Sequence, residues 1–225
     1  MIAAFVLSGL ITSVLAIFQY ESGRGIDPVL IFLLLTYPLL IGSTVHFYLQ
    51  QKRTHATLNE EYYVKWYLQS FAQLCLTESD FQLIRDELTN SILRMIKPAL
   101  VNVYELNTEN LHLEMVRQAG IQDLPENARG GYPLGQGIPG WVMQNQNAVV
   151  LGDISKEQAL QVDAWARTLN LRSYAAVPII ARGKAVGIIA MYSLESNFFQ
   201  DSNLLSAQLL AQLYGLSLAG QPSSP

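Results

Sequence analysis

The chain opens with two runs free of formal charge, Ile2–Phe18 and Val29–Leu49, separated by the polar segment QYESGRGIDP. At 1.5 Å rise per residue they reach roughly 26 and 32 Å as helices, close to the ~30 Å hydrocarbon thickness of a bilayer. They predict a transmembrane α-hairpin over residues 1–51, with spans at 2–18 and 29–49. A cleaved signal peptide is the alternative for the first run. It requires a basic start and a small-residue cleavage site, whereas this chain begins MIAAFV and passes the run with Gln19 and Tyr20. Ala4, Ser8, Thr12 and Ala16 recur every fourth residue, a small-residue stripe for membrane-helix packing, against the second span or against a partner. Pro38 predicts a kink in the second span.

Beyond the membrane the period becomes that of amphipathic helices. Residues 52–69 read as a helical linker running on into Leu74, with Val64, Tyr67, Phe71 and Leu74 at 3-4-3 spacing, as a short coiled coil or as a face packed on its own domain. A second helix follows, with Phe81, Ile84, Leu88, Ile92 and Met95 in step, Ser79 or Thr77 as its cap, and Pro98 as its stop. The period then changes to two. ALVNVYEL and LHLEMVRQ predict a hairpin around NTEN, with Leu111, Leu113 and Met115 on one face. NAVVL predicts a short strand, and SYAAVPII and KAVGIIAMYS a last hairpin around Arg182-Gly183-Lys184. The second of these strands is apolar on both faces, as a central strand is. Asp201–Ala219 closes as a helix with Leu205, Leu209, Leu213 and Leu216 on one side. The order of elements predicts an α+β domain of about 150 residues, residues 70–220, with a mostly antiparallel sheet, helices on one face and a polar tail at 221–225.

Composition refines this picture. The 50% hydrophobic and 14% charged content is too apolar for one ordinary soluble domain, and the excess is local: residues 1–51 carry only Glu21, Arg24 and Asp27. Lys52 and Arg53 follow the second span while the intervening loop offers Arg24 alone, which places the C-terminal domain on the cytoplasmic side of a plasma or internal membrane. A net charge of −4 and the lack of a basic cluster argue against nucleic-acid binding. The single cysteine, Cys75, excludes an internal disulfide.

Gly135, Gly137 and Gly140 spell G-x-G-x-x-G. A dinucleotide site needs a buried strand entering the first glycine and a long helix opening at the last. Here NARGGYPL precedes the motif and only WVMQ reads as helical after it, so the glycines are assigned to a sharp turn that sets Trp141 against the sheet. YPLGQGIPGWVMQNQNAVVLGDI, SYAAVPIIARGKAVGIIAMYS and NFFQDSNLLSAQLLAQLYGLSLA together resemble the GAF family over about residues 70–220. That resemblance implies a GAF-like antiparallel sheet and a pocket between the sheet and its covering loops. In some members the pocket holds cyclic nucleotides, bilins, haem or small metabolites. Bilin attachment and methionine-sulfoxide reduction in that family need pocket cysteines, and Cys75 falls in the N-terminal helix instead. The cyclic-nucleotide pattern keeps Phe198 or Phe199 and Asp201 but lacks its lysine and second acid, and Phe199 and Asp201 are read as packing and capping residues.

Tyr104, Tyr132, Trp141, Trp165 and Tyr174 are candidates to line a pocket with Asp153 as its polar group, their alternative being aromatic core plus a turn carboxylate. His46, His55 and His112 are scattered, and no metal spacing or cofactor motif is found. The expectation is a non-enzymatic, membrane-anchored module that binds membrane-protein partners within the lipid bilayer, as an accessory subunit or as a sensor without its own output domain. A homodimer through the terminal helices is a further candidate partner. The alternative is a signalling protein that binds a cyclic nucleotide or another small ligand.

Overall fold

The computed structural model describes residues 62–157 and 163–220, the side chain of Asn127 excepted, together with Val14, Ile17, Phe18, Gly42, Ser43, residues 45–48 and Gln50. The chain divides into two compact units, Met1–Glu61 and Tyr62–Pro225. The two expected membrane spans, the stripe of Ala4, Ser8, Thr12 and Ala16, and the tail 221–225 fall almost wholly outside the described residues. Among the described residues no helix is long and apolar enough to cross a membrane, so the expected hairpin has no support there.

The second unit begins with a helix over residues 62–77, here α1. Then come α2 (Phe81–Met95), β1 (Leu100–Asn107), β2 (His112–Gly120), a 3-10 turn (Glu126–Ala128), β3 (Tyr132–Pro133), α3 (Gly137–Asn145), β4 (Val149–Leu151), α4 (Ala164–Thr168), β5 (Ser173–Ala181), β6 (Lys184–Ser193) and α5 (Asp201–Ala219). The strands form one antiparallel sheet in the order β3-β2-β1-β6-β5-β4. Strand β6 is central, as its two-sided apolar pattern predicts. Pro178 is tolerated in β5 because β4 pairs only with Tyr174, Ala175 and Ala176; at Pro178 the outer edge needs no donor. Arg182 and Gly183 turn the β5–β6 hairpin with φ of 50° and 77°, the left-handed pair that matches strand twist.

Each face of the sheet carries its own core. On one, α1, α2 and α5 cover Val101, Val103, Ala175, Val177, Ile189 and Met191 with Phe71, Ile84, Leu88, Ile92, Leu210 and Tyr214. The helical spacing of Phe71 and of Ile84, Leu88 and Ile92 thus does what the sequence implies. On the other face, α3, α4 and the connecting segments cover Leu100, Tyr104, Leu113, Tyr174, Ile188 and Tyr192. The long helices are therefore on one face, and two short ones lie on the other.

Several local expectations are corrected. Helix α2 is capped by Asp80, whose Oδ1 accepts from Gln82 N at 2.8 Å, not by Ser79 or Thr77. Gln200 and Asn203 cap α5 reciprocally, so Asp201 is its first residue rather than its cap, while Phe199 packs in the helix-side core. Leu111 is an exposed turn residue at φ 55°. Of the leucine stripe of α5, Leu205, Leu209 and Leu216 face outward, Leu205 at 57% and Leu216 at 66% exposure, while Leu213 is half-buried against the helix-side core, and the inward face is Ala207, Leu210, Ala211, Tyr214 and Gly215. At Gly215 the helix comes so close to β5 that a Cβ would lie 2.0 Å from the Ile180 carbonyl oxygen, so the packed face is fixed by a close approach as well as by hydrophobicity.

Candidate functional site

The glycine motif does open a helix, α3, starting at Gly137 and longer than WVMQ. Pro139 is accommodated because a first-turn residue has no intrahelical use for its N–H. The strand before it, β3, is a two-residue edge strand, not the buried strand a dinucleotide site demands. Gly140 has a packing reason instead: a Cβ there would lie 2.6 Å from the Gly135 carbonyl carbon. The turn does not press Trp141 on the sheet; that side chain is 38% exposed.

Strand alternation on β1 sends Leu100, Asn102 and Tyr104 to the face opposite the long helices. Tyr132 reaches Tyr104 from β3, edge to face at 5.4 Å between ring centres. Tyr174 and Tyr192 are direct cross-strand partners on β5 and β6, with rings 4.8 Å apart, and Trp165 of α4 leans on Tyr192 at 5.1 Å. Of the six residues expected from the sequence, the structure gathers Tyr104, Tyr132, Trp165 and Tyr174. It leaves out Trp141 and Asp153. Asp153 lies in the turn after β4, where Ser155 and Lys156 hold its carboxyl down to about 2.

The polar members the sequence does not mark are Asn102, Asp163 and Tyr192. Asp163 occupies the N-cap position of α4 yet makes no cap bond; its Oδ2 instead accepts from the Tyr132 hydroxyl at 2.5 Å. Asn102 is fully buried, its Nδ2 donating to the Tyr104 hydroxyl at 3.3 Å. Among the described residues its Oδ1 and the buried Tyr174 hydroxyl have no hydrogen-bond partner. Burial pushes the Tyr104 hydroxyl up to about 12, and Tyr132, Tyr174 and Tyr192 also upward, with the neighbouring Asp163 charge adding to each. All four therefore stay neutral near pH 7. Cys75 belongs to the helix-side layer across the sheet, where burial raises its thiol to about 11. No three His, Cys, Asp or Glu side chains among the described residues converge as metal ligands.

Burial also raises the Asp163 pKa, the Tyr132 hydrogen bond offsetting it only in part. The folded chain then holds this proton to higher pH than the unfolded chain, whose value is near 3.8. Ionisation of Asp163 consequently weighs against the fold as pH rises above that value and through the native one. Asp163→Asn is expected to stabilise the protein at pH 7 by about 1 kcal/mol, a modest figure because the carboxylate is partly solvated. The gain should vanish below about pH 4, where Asp163 is protonated in both states. Urea unfolding at the two pH values measures this; a variant less stable than the wild type at pH 7 would show that the carboxylate is favourable where it is.

A family model described as "GAF domain" matches residues 81–219. No curated protein matches the sequence. Among solved structures, the chain is similar to free methionine-R-sulfoxide reductase from Neisseria meningitidis in complex with its substrate. The two are 18% identical, with 68% of this chain and 87% of that one covered and a TM-score of 0.59. It is similar to the GAF domain of a phosphoenolpyruvate-protein phosphotransferase from Coxiella burnetii at 15% identity, with 69% and 92% covered and a TM-score of 0.60. A methyl-accepting chemotaxis protein is 20% identical, with 66% and 94% covered and a TM-score of 0.54. These likenesses concern the fold alone. They nevertheless overturn the expectation that the chain is not an enzyme: a reductase in Neisseria, and another in Staphylococcus aureus, is built on this fold, which therefore admits catalysis.

Proposed function

Since its residues 81–219 make this chain a member of the GAF domain family, we propose that it binds a small molecule at the Tyr104–Tyr132–Asp163–Tyr174 cluster. One observation carries the reading: among the described residues two buried polar atoms, Asn102 Oδ1 and the Tyr174 hydroxyl, stand unpartnered in the same cluster as a partly buried carboxylate. Such atoms cost on the order of 1–3 kcal/mol each when left unmade, and ordinary aromatic cores avoid them. A ligand that hydrogen-bonds to them removes that cost, and perturbed groups in one cluster are a mark of binding sites.

Two uses of an occupied site are compatible with the fold: a signal passed to another protein, or chemistry on the bound molecule. The exposed Leu76 on α1 and Leu216 on α5 favour the first, since they border a groove of about 620 Å³ on the opposite side of the sheet where a partner can read the state of the domain. A membrane anchor in residues 1–51 would bring such a partner within reach, and that part of the reading rests on the sequence.

The test is extraction. The full chain, purified in mild detergent and then denatured, is expected to release a small molecule detectable by mass spectrometry. Asn102→Leu removes the unpartnered oxygen at similar volume, so it should fold with unchanged circular dichroism and carry none of that molecule. Equal yield from both proteins would remove the site from the proposal. So would a wild-type chain that carries nothing and gains no thermal stability from a cell extract.

A further inference from the structure

We infer that the ligand of this site presents a primary ammonium group, held by Asp163, Asn102 Oδ1 and the Tyr174 hydroxyl within walls of tyrosine and tryptophan rings. The inference rests on the ligand-binding reading above and names the chemistry of its occupant.

The first argument is charge. The ion pairs among the described residues are Arg85–Glu105, Arg94–Glu87, Arg117–Asp86 and Lys156–Asp153. Asp163 is in none of them, and its partner is a neutral phenol. Among the described residues no lysine or arginine is buried. A carboxylate drawn out of water without a cation is an unbalanced arrangement, and a cationic ligand balances it. An anionic ligand, a cyclic nucleotide phosphate among them, would meet Asp163 with nothing to offset it.

The second argument is hydrogen-bond inventory. Asn102 Oδ1 is an acceptor only, the Asp163 carboxylate is an acceptor, and the Tyr174 oxygen has free lone pairs. An alkylammonium group brings three donors and no acceptor, which matches three acceptors one for one. A neutral apolar molecule would leave all of them unmade. The third argument is the wall. Tyr104 is in ring contact with Tyr132, and Tyr192 with both Tyr174 and Trp165, and the faces of such rings attract cations.

The experiment uses the full chain in mild detergent and three probes at matched ionic strength: propylammonium chloride, its neutral isostere propan-1-ol, and tetramethylammonium chloride, a cation without donors. Titration calorimetry and thermal shift should show saturable binding of propylammonium, with propan-1-ol at least tenfold weaker and tetramethylammonium severalfold weaker. Asp163→Asn, checked for folding by its own melting curve, should weaken propylammonium at least tenfold, and Tyr174→Phe severalfold. Propan-1-ol binding as tightly as propylammonium would overturn the ammonium assignment while leaving a ligand site in place. Tetramethylammonium equal to propylammonium would overturn the three-donor match, and undiminished binding to Asp163→Asn would overturn the role of the carboxylate. If none of the probes binds, the inference falls, and the extraction experiment decides independently whether the site holds anything else.

Discussion

Gly215→Ala is expected to destabilise the protein by about 3 kcal/mol, at the upper end of what overpacking costs. Helix α5 lies so close to β5 that a Cβ at this position would be 2.0 Å from the Ile180 carbonyl oxygen, 2.8 Å from its carbon and 3.2 Å from its nitrogen. Every obstacle is backbone, so no rotamer change relieves the clash. The helix has to lift, and Leu210, Ala211 and Tyr214, all fully buried, lose their contacts together. For a unit of this size the melting temperature should fall by about 10 °C. Gly220→Ala is the control: its Cβ would meet Ser217 O at 3.6 Å, an ordinary contact. Thermal melts of the two variants that fall together would show that α5 adapts and that the close approach is not a constraint.

Arg85→Met is expected to cost about 2 kcal/mol. Arg85 donates to Glu105 through both Nε, at 2.9 Å, and Nη2, at 2.8 Å, and Nε also donates to the Tyr214 hydroxyl at 3.0 Å. The Tyr214 hydroxyl in turn donates to Glu105. One cation thus ties α2, β1 and α5 in a single knot, and burial with the nearby Glu105 charge holds the tyrosine proton on. Removing the cation strands a carboxylate that is 20% exposed, costly but short of the 3–5 kcal/mol of a wholly buried charge. The double variant Arg85→Met/Glu105→Met should recover most of the loss, because the stranded charge goes with it. Urea midpoints for the single and double variants measure the coupling. Additive losses would mean that the three groups contribute separately.

Periodicity makes the strands and the inner faces of α1 and α2 legible, because there burial and hydrophobicity choose the same residues. Helix α5 misleads for the opposite reason. Its leucine stripe looks like a core face, but the buried face carries Ala207, Leu210, Ala211, Tyr214 and Gly215, with Gly215 at the close approach to β5. In the aromatic site, large rings on alternating strands can be read from the sequence, which is why Tyr104 and Tyr174 stand out. Asn102, between two valines, and Asp163, in an ordinary capping position, carry no local mark. Their significance comes from what separate strands and a short helix bring near them. Trp141 and Asp153 mislead through proximity in sequence to the glycine turn and its strand: Trp141 is exposed, and Asp153 is engaged by Ser155 and Lys156 in its own turn.

The pairing of β1 with β2 slips by one residue at Val103/Tyr104, leaving Val116 without a partner. Before the slip, Leu113 and Met115 serve the aromatic face; after it, Arg117 turns to the helix side and meets Asp86 at 2.8 Å. Strand β1 has no such freedom, because Tyr104 and Glu105 are adjacent and belong to opposite faces. A one-residue shift in β1 would exchange a phenol for a carboxylate in both cores. When relatives of this chain are aligned, the natural position for a gap or an extra residue is therefore Val116, in mid-strand, and not the turn between the two strands.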